Sequence, residues 1–463
     1  PSRGLGDVYK RQPVLKALFA FLLENRSLFG LLSKGNPSTR ARGGFYGWWM
    51  VAVGGFIMVI TSVPIFQATA VWAVALESQF GWSRTQLGLA LSFTRVEGSI
   101  TGPIAGYLVD RIGTRFMVFT GLIVLTVGFF LFSQVQNLWM LYLAYFIMSV
   151  GQGQAGWLTV MTLMNHWFLR HRGLAMGLAM MGMGIGTLLL IPVIAWLINP
   201  DADRLGWRHT AEIFAVVALV SAIILPKIIR NKPEDIGEQP DGDAPTQTGS
   251  VGGVGAKSES EPELTIGQAL RTQAFWCISF GHGFGSMAVL AIMSHLGLLL
   301  QDMGHDVQTA GWIITVQTAV SIVFQFFGGW MGDRMPKNIA LFIFTGLQGV
   351  GVIFLVLGSN IFYFYAFALL FGIGFGGRTP LTTAIRGDYF GRASFGKILG
   401  ISTVPMNLLL LISGPLVGFM RDEIGDYNNA FLLMAGLNLL GAVLFLIARR
   451  PKLQNLSKAS VTT

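Results

Sequence analysis

The chain has 463 residues, of which 52% are hydrophobic and only 12% charged, with 59 glycines, one cysteine and a formal net charge of +9. That share of charge is roughly half of what a water-soluble domain carries, so most of the chain belongs in lipid. A single cysteine excludes an internal disulfide, and cations confined to short loops between apolar stretches read as a topology signal rather than a nucleic-acid surface.

Residues 1–12 begin with proline, share no pattern with the rest of the chain and read as a non-native scar. Residues 13–45 form a cytoplasmic segment in which Leu15, Leu18, Phe19, Leu22 and Leu23 recur at helical spacing, interrupted by Lys16, Glu24 and Arg26, which predicts an interfacial helix. A spanning helix needs about 20 mainly apolar residues, and twelve such stretches lie between 46 and 448. Spans 1 to 6 lie near 46–75, 87–107, 116–135, 139–165, 173–198 and 209–229. Spans 7 to 12 lie near 275–300, 308–330, 339–357, 361–386, 398–420 and 430–448. Between the two sets, 231–263 is rich in Pro, Gly, Ser, Asp and Glu and predicts a disordered linker. Residues 449–463 form a tail. The expected fold is an all-α membrane protein of twelve transmembrane helices in two pseudo-symmetric six-helix bundles, 46–230 and 264–448.

The symmetry is written in the chain. Gly106-Tyr-Leu-Val-Asp110-Arg111 recurs as Gly329-Trp-Met-Gly-Asp333-Arg334, an offset of 329 − 106 = 223 residues. Phe80-Gly81 matches Met303-Gly304, and Trp167-Phe168-x-Arg170 matches Tyr389-Phe390-x-Arg392 at nearly the same shift. A chain that repeats once, with many membrane-length stretches per copy, has the signature of a transporter built from two related halves. Loop cations set its orientation. Arg111, Arg115, Arg170, Arg172, Arg334, Lys337, Arg386, Arg392 and Lys397 fall on one side, which places both termini and the linker in the cytoplasm.

These residues resemble the major facilitator superfamily. Its signature between helices 2 and 3 stands here as Gly106, Leu108, Asp110, Arg111, Gly113 and Arg115. Tyr46-Gly-Trp-Trp49, Lys232-Pro-Glu-Asp-Ile-Gly237, Pro240-Asp-Gly-Asp243, Gln268-Ala-Leu270 and Phe275-Trp276 are similar to bacterial members of the monocarboxylate-porter and oxalate:formate-antiporter group. The resemblance implies a bacterial inner-membrane location. It also departs at span 8, where porters of that group usually carry an arginine and this chain reads Ser321-Ile-Val-Phe-Gln325.

Charge within the spans marks the candidate site, because an arginine at a helix centre costs about 2.5–3.5 kcal/mol on insertion scales. Arg95 and Glu97 on span 2 and Arg378 on span 10 stand out. Two guanidiniums against one carboxylate attract an anion, and the planar fork of arginine suits a carboxylate. Arg378 and Arg95 are therefore the expected anion ligands, and Pro380 is expected to interrupt span 10 beside Arg378. Gln152 and Gln154 on span 4, Gln317 on span 8 and Asn407 on span 11 complete the set as hydrogen-bond donors. Glu97 and His282 are the proton-coupling candidates, with His295 a further histidine on span 7. Each of these polar residues could instead bond across helices. Trp48, Trp49 and Trp72 could stack on a ligand or anchor at the interface.

The repeated loops carry a gating reading. Asp110 with Arg111, Gly113 and Arg115, and Asp333 with Arg334, are expected to bond to neighbouring helix ends and hold the halves together, with Gly106 allowing close approach. Pro336 replaces a glycine in the second copy, so its contribution is expected to be weaker. Gly151-x-Gly153-x-x-Gly156 spells a dinucleotide fingerprint but lies within a membrane helix, as do Gly182, Gly184 and Gly186, where small residues serve packing. Neither a metal-ligand cluster nor a catalytic constellation is present, so no cofactor, no metal and no enzyme activity is expected. The function implied is a secondary transporter of a small organic anion, preferably a carboxylate, by proton symport or anion exchange. The expected partners are the substrate, a proton or counter-anion and membrane lipid, with no nucleic acid and with the chain a monomer. A proton-driven exporter of neutral or amphipathic compounds and a non-transporting nutrient receptor remain open alternatives.

Overall fold

The computed structural model describes residues 45–83, 86–87, 101–199, 204–243, 263–303, 307–358, 360–425 and 427–451. The expected interfacial helix, Arg95 and Glu97 lie outside the described residues. Among the described residues ten helices are long and apolar enough to cross a membrane. They match spans 1, 3 and 5 to 12, in an all-helical fold of two bundles that follows the repeat. Of span 2, expected near 87–107, residues 101–107 are described at its end, in a helix that runs on to residue 112.

Two spans of the first half are interrupted, in ways the composition hides. Span 1 runs as Gly47–Ser62, one π-helical turn Val63–Gln67, then Thr69–Phe80. Pro64 supplies no N–H, and its carbonyl accepts the indole N–H of Trp72 at 2.8 Å. Trp72 is thereby buried among Phe132 and Phe214, so it is neither a ligand platform nor an interfacial anchor. Trp48 and Trp49 remain exposed. Span 4 breaks into Leu138–Ala155 and Trp157–Trp167 at Gly156, which departs from helical geometry at ψ −137. The Thr159 hydroxyl donates to the Gln154 carbonyl at 2.5 Å across the break. A Cβ at Gly156 would stand 3.4 Å from the Thr61 hydroxyl, so the two interruptions adjoin.

Span 5 is Arg172–Ile198 and span 6 is Gly206–Ile228. Span 7 is Gln273–Asp302, span 8 Val307–Gly332 and span 9 Lys337–Leu357. Span 10 runs unbroken over Ile361–Phe390 with Pro380 inside it, against the expected interruption. Span 11 is Phe395–Ser402 continued by Val404–Ile424, and span 12 is Asn428–Ile447. Asn137 and Asn360 cap spans 4 and 10 through their side-chain oxygens, each at 3.0 Å. Within the second half a core of Phe364, Phe367, Phe371, Phe431 and Met434 is fully buried. Large apolar side chains such as Trp139, Leu189, Phe362 and Phe419 face outward, as a lipid surround requires. Span 5 packs on span 8 and span 10, which joins the halves.

The start of the linker is folded, which corrects the expected disorder over 231–243. Two 3-10 turns, Pro233–Ile236 and Pro240–Gly242, lie against the loop ends of the spans. Specific polar pairing, rather than apolar burial, holds them there.

Candidate functional site

The two halves meet at the face carrying the repeated loops. There the Asp110 carboxylate accepts the backbone N–H groups of Gly396 and Lys397, both at 2.9 Å. The Asp333 carboxylate accepts those of Gly173 and Leu174, both at 2.8 Å. Each pair of donors sits at the first turn of a helix in the other half, where N–H groups lack intrahelical partners and the helix dipole favours negative charge. Burial nonetheless holds the Asp110 carboxyl up at about 6, against the lowering pull of the Lys397 and Gly396 amides. Asp333 is raised for the same cause.

Glycines bring the backbones together. A Cβ on Gly106 would overlap the Gly396 carbonyl, and one on Gly329 would overlap the Gly173 carbonyl. Gly184 leaves similar room for Ile322 of span 8. Gly151 fits against Gly121 and Leu125 of span 3, which is a packing role. Gly113 adopts φ 86 and lies beside Asn231.

Among the described residues the arginines of the repeated loops make no bond across the halves, contrary to expectation. Arg111 bonds to the Tyr107 hydroxyl one turn back, and Arg334 to the Trp330 carbonyl while covering its ring. Arg115 contributes its backbone N–H, donated to the Asn231 side chain at 2.8 Å. The cross-half ion pair comes from Arg172, which is wholly buried and bonds Asp388 of span 10 at 2.5 Å. Lys337 joins Asp388 at 2.7 Å and Asp333 at 3.4 Å. The second copy of the clasp thus carries an ion-pair network beside it.

Within the second half, Arg378 is 1% exposed. Its Nε donates to Gln348 of span 9 at 2.6 Å, and the Gln348 amide donates to the Gly285 carbonyl of span 7 at 3.0 Å. Arg386, expected as a loop cation, is wholly buried two turns further along span 10. It donates to the Ser402 hydroxyl at 2.7 Å and to the Thr382 carbonyl, and lies 3.4 Å from Nδ1 of His282. A guanidinium only donates, so in this contact His282 Nδ1 is the acceptor. Among the described residues neither guanidinium has a carboxylate partner.

The other candidates divide. Gln152, Gln154 and Asn407 are half-buried, and their side chains make no hydrogen bond to a described residue. Gln317 is buried and accepts only a 3.4 Å contact from Thr318. His295 bonds the Ala291 carbonyl at 2.9 Å, away from the arginines. Sequence reasoning missed Arg386, Gln348, Arg172 and the irregular turns at Pro64 and Gly156. Only Pro64 and the excess of glycine in span 4 offered a signal. Among the described residues no group of three or more His, Cys, Asp or Glu could hold a metal.

Comparison with known proteins agrees with this architecture. A solved structure of the Escherichia coli fucose:proton symporter matches with a TM-score of 0.67 at 15% identity over 88% of this chain and all of that one. One in the outward conformation gives 0.68 over 87% of this chain and 99% of that one, likewise at 15% identity. In sequence the chain is 27% identical over 404 residues to monocarboxylate transporter 13 of Bos taurus, covering 86% of this chain and 88% of that one. It is 25% identical to human monocarboxylate transporter 11, covering 86% and 83% respectively. The Major Facilitator Superfamily model matches residues 50–307 and 275–461. Two helical halves, the Asp110 and Asp333 clasps and this match together show that the chain belongs to the major facilitator superfamily and is a secondary transporter, not an enzyme.

Proposed function

We propose that the protein carries a small organic anion, a carboxylate by preference, across the cytoplasmic membrane by alternating access. The observation that carries this reading is the pair of buried guanidiniums, Arg378 and Arg386, with no carboxylate partner among the described residues. Burying an uncompensated cation is costly, and an anionic substrate offsets that cost when it enters. Arg95, outside the described residues, is a third cation that the sequence offers for the anion. Gln152, Gln154, Gln317 and Asn407 supply polar contacts that fix the orientation of the ligand. Relatives named monocarboxylate transporters support the same substrate class.

Glu97 and His282 are the proton-coupling groups if the anion moves with a proton; anion exchange would leave them structural. The Asp110 face is cytoplasmic in this reading, since the exposed cations Arg111, Arg115, Arg170 and Arg334 lie on it.

A thermal-shift screen of the purified protein against carboxylates, sugars, amines and apolar compounds, run beside Arg378→Gln, tests the reading. A ligand that binds only the folded state stabilises it by about 2.7 kcal/mol at 100 times its dissociation constant. Stabilisation by a carboxylate that vanishes in Arg378→Gln is expected. Stabilisation by apolar compounds alone, unchanged in the variant, overturns the anion reading.

A further inference from the structure

The folded start of the linker is fastened to the first half by an unusual residue. Asp241 is the one non-glycine with positive φ among the described residues, at φ 59. Its side chain is 1% exposed. Its carboxylate accepts three successive backbone N–H groups of the loop between spans 4 and 5: Leu169 at 3.0 Å, Arg170 at 2.8 Å and His171 at 3.3 Å. The His171 ring lies at 3.2 Å, and Arg170 pairs with Asp243. Upstream, the Asn231 side chain accepts from Thr114 at 3.0 Å and from the Arg115 backbone, and the Trp167 indole donates to the Arg230 carbonyl at 3.0 Å. Every one of these anchors belongs to the first half.

Between the anchors the segment reaches the second half. Glu234 pairs with Arg392, in the loop between spans 10 and 11, at 3.1 Å. The same guanidinium donates to the His166 carbonyl at the end of span 4, at 2.6 Å. Arg392 is thus held from two sides by groups of the first half and its strap. The left-handed backbone at Asp241 costs energy for a residue with a Cβ, and the three N–H bonds offset it. The strap is therefore rigidly placed, and Glu234 is presented to Arg392 without the freedom of a loose linker.

We infer that residues 231–243 are a latch, carried by the first half, that holds the Asp110 face closed by capturing Arg392, and that this latch sets the balance between the two access states. When the halves part at this face, Arg392 must leave both Glu234 and the His166 carbonyl, while the Asp241 anchors persist. The contact exists only in the closed state, so it shifts the equilibrium by its own free energy.

The test is a distance measurement by pulsed electron paramagnetic resonance on the full chain, with Cys277→Ser and spin labels at the exposed positions Ile112 and Ile339 on this face. Glu234→Gln cuts the latch with little change of shape. Asp241→Gly keeps the positive φ and removes the anchor. Each is expected to raise the separated population severalfold, and the double variant no further than the larger single, since both disable one device. Distributions unchanged in both single variants overturn the latch, and so do additive effects. The readout needs no substrate, so its failure leaves the anion reading standing.

Discussion

The carboxylates of Asp110 and Asp333, 223 residues apart, close on helix starts that are themselves 223 residues apart: Asp110 on Gly396, Asp333 on Gly173. Each half thus holds the other by the same device. Removing a charged acceptor from such bonds costs about 2 kcal/mol, roughly a thirtyfold shift in the ratio of closed to open states. Asp110→Ala and Asp333→Ala should both lower the closed population, measured by spin-label distances on this face. Asp333→Ala should lower it at least as far, because Asp333 also anchors Lys337 within the Arg172–Asp388 network. A clearly smaller loss for Asp333→Ala would mean that the charge network adds nothing.

Closure should also respond to pH. In the closed state the Asp110 carboxyl is held at about 6, above the ordinary value of 3.8, because burial penalises its charged form. Once the halves separate, water restores the ordinary value. The closed state therefore binds the proton more tightly, and its advantage is complete below about 4 and lost as pH rises through about 6. Asp333 shifts in the same direction. The closed fraction should rise on acidification from about pH 7.5 to about pH 5, a window that brackets the raised value, and the rise should shrink in Asp110→Ala. A closed fraction that falls over this window would reverse the sign.

Close backbone approach gives a third test. Any Cβ at Gly106 or Gly329 would overlap a carbonyl of the opposing half, whereas Gly346 and Gly436 have nothing within 4 Å. Gly106→Ala and Gly329→Ala should each impair closure and transport while leaving insertion and expression intact. Gly346→Ala and Gly436→Ala should be silent. Equal effects at all four positions would assign the loss to the backbone freedom that glycine supplies rather than to the contact.

This clasp was readable in the chain because a repeat preserves equivalent positions, and equivalent positions meet across a pseudo-twofold axis. Arg386 was not, since Pro380 suggests a helix that stops early, while the structure carries the helix on to Phe390 and buries the guanidinium against Ser402. Arg172 was hidden for a related reason: its neighbours Arg170 and His171 are exposed, and only the fold brings Asp388 to it. Composition also misreads the linker. Its lack of apolar residues argues against a core, but Asp241 and Glu234 hold it through hydrogen bonds and charge, which composition does not register.

Arg378 and Gln348 permit a last separation, between packing and function. Gln348→Leu leaves the Arg378 Nε with no acceptor while the charge stays buried, and a lost bond to a charged group costs about 2 kcal/mol. Arg378→Met with Gln348→Leu removes both partners in apolar surroundings, which is often close to neutral. The double variant should therefore melt above Gln348→Leu in a thermal scan. Its uptake of a carboxylate into sealed vesicles should nevertheless be lost, because the cation that draws the anion is gone. Full uptake by a stable double variant would make Arg378 a packing residue and shift the anion site to Arg386 and Arg95.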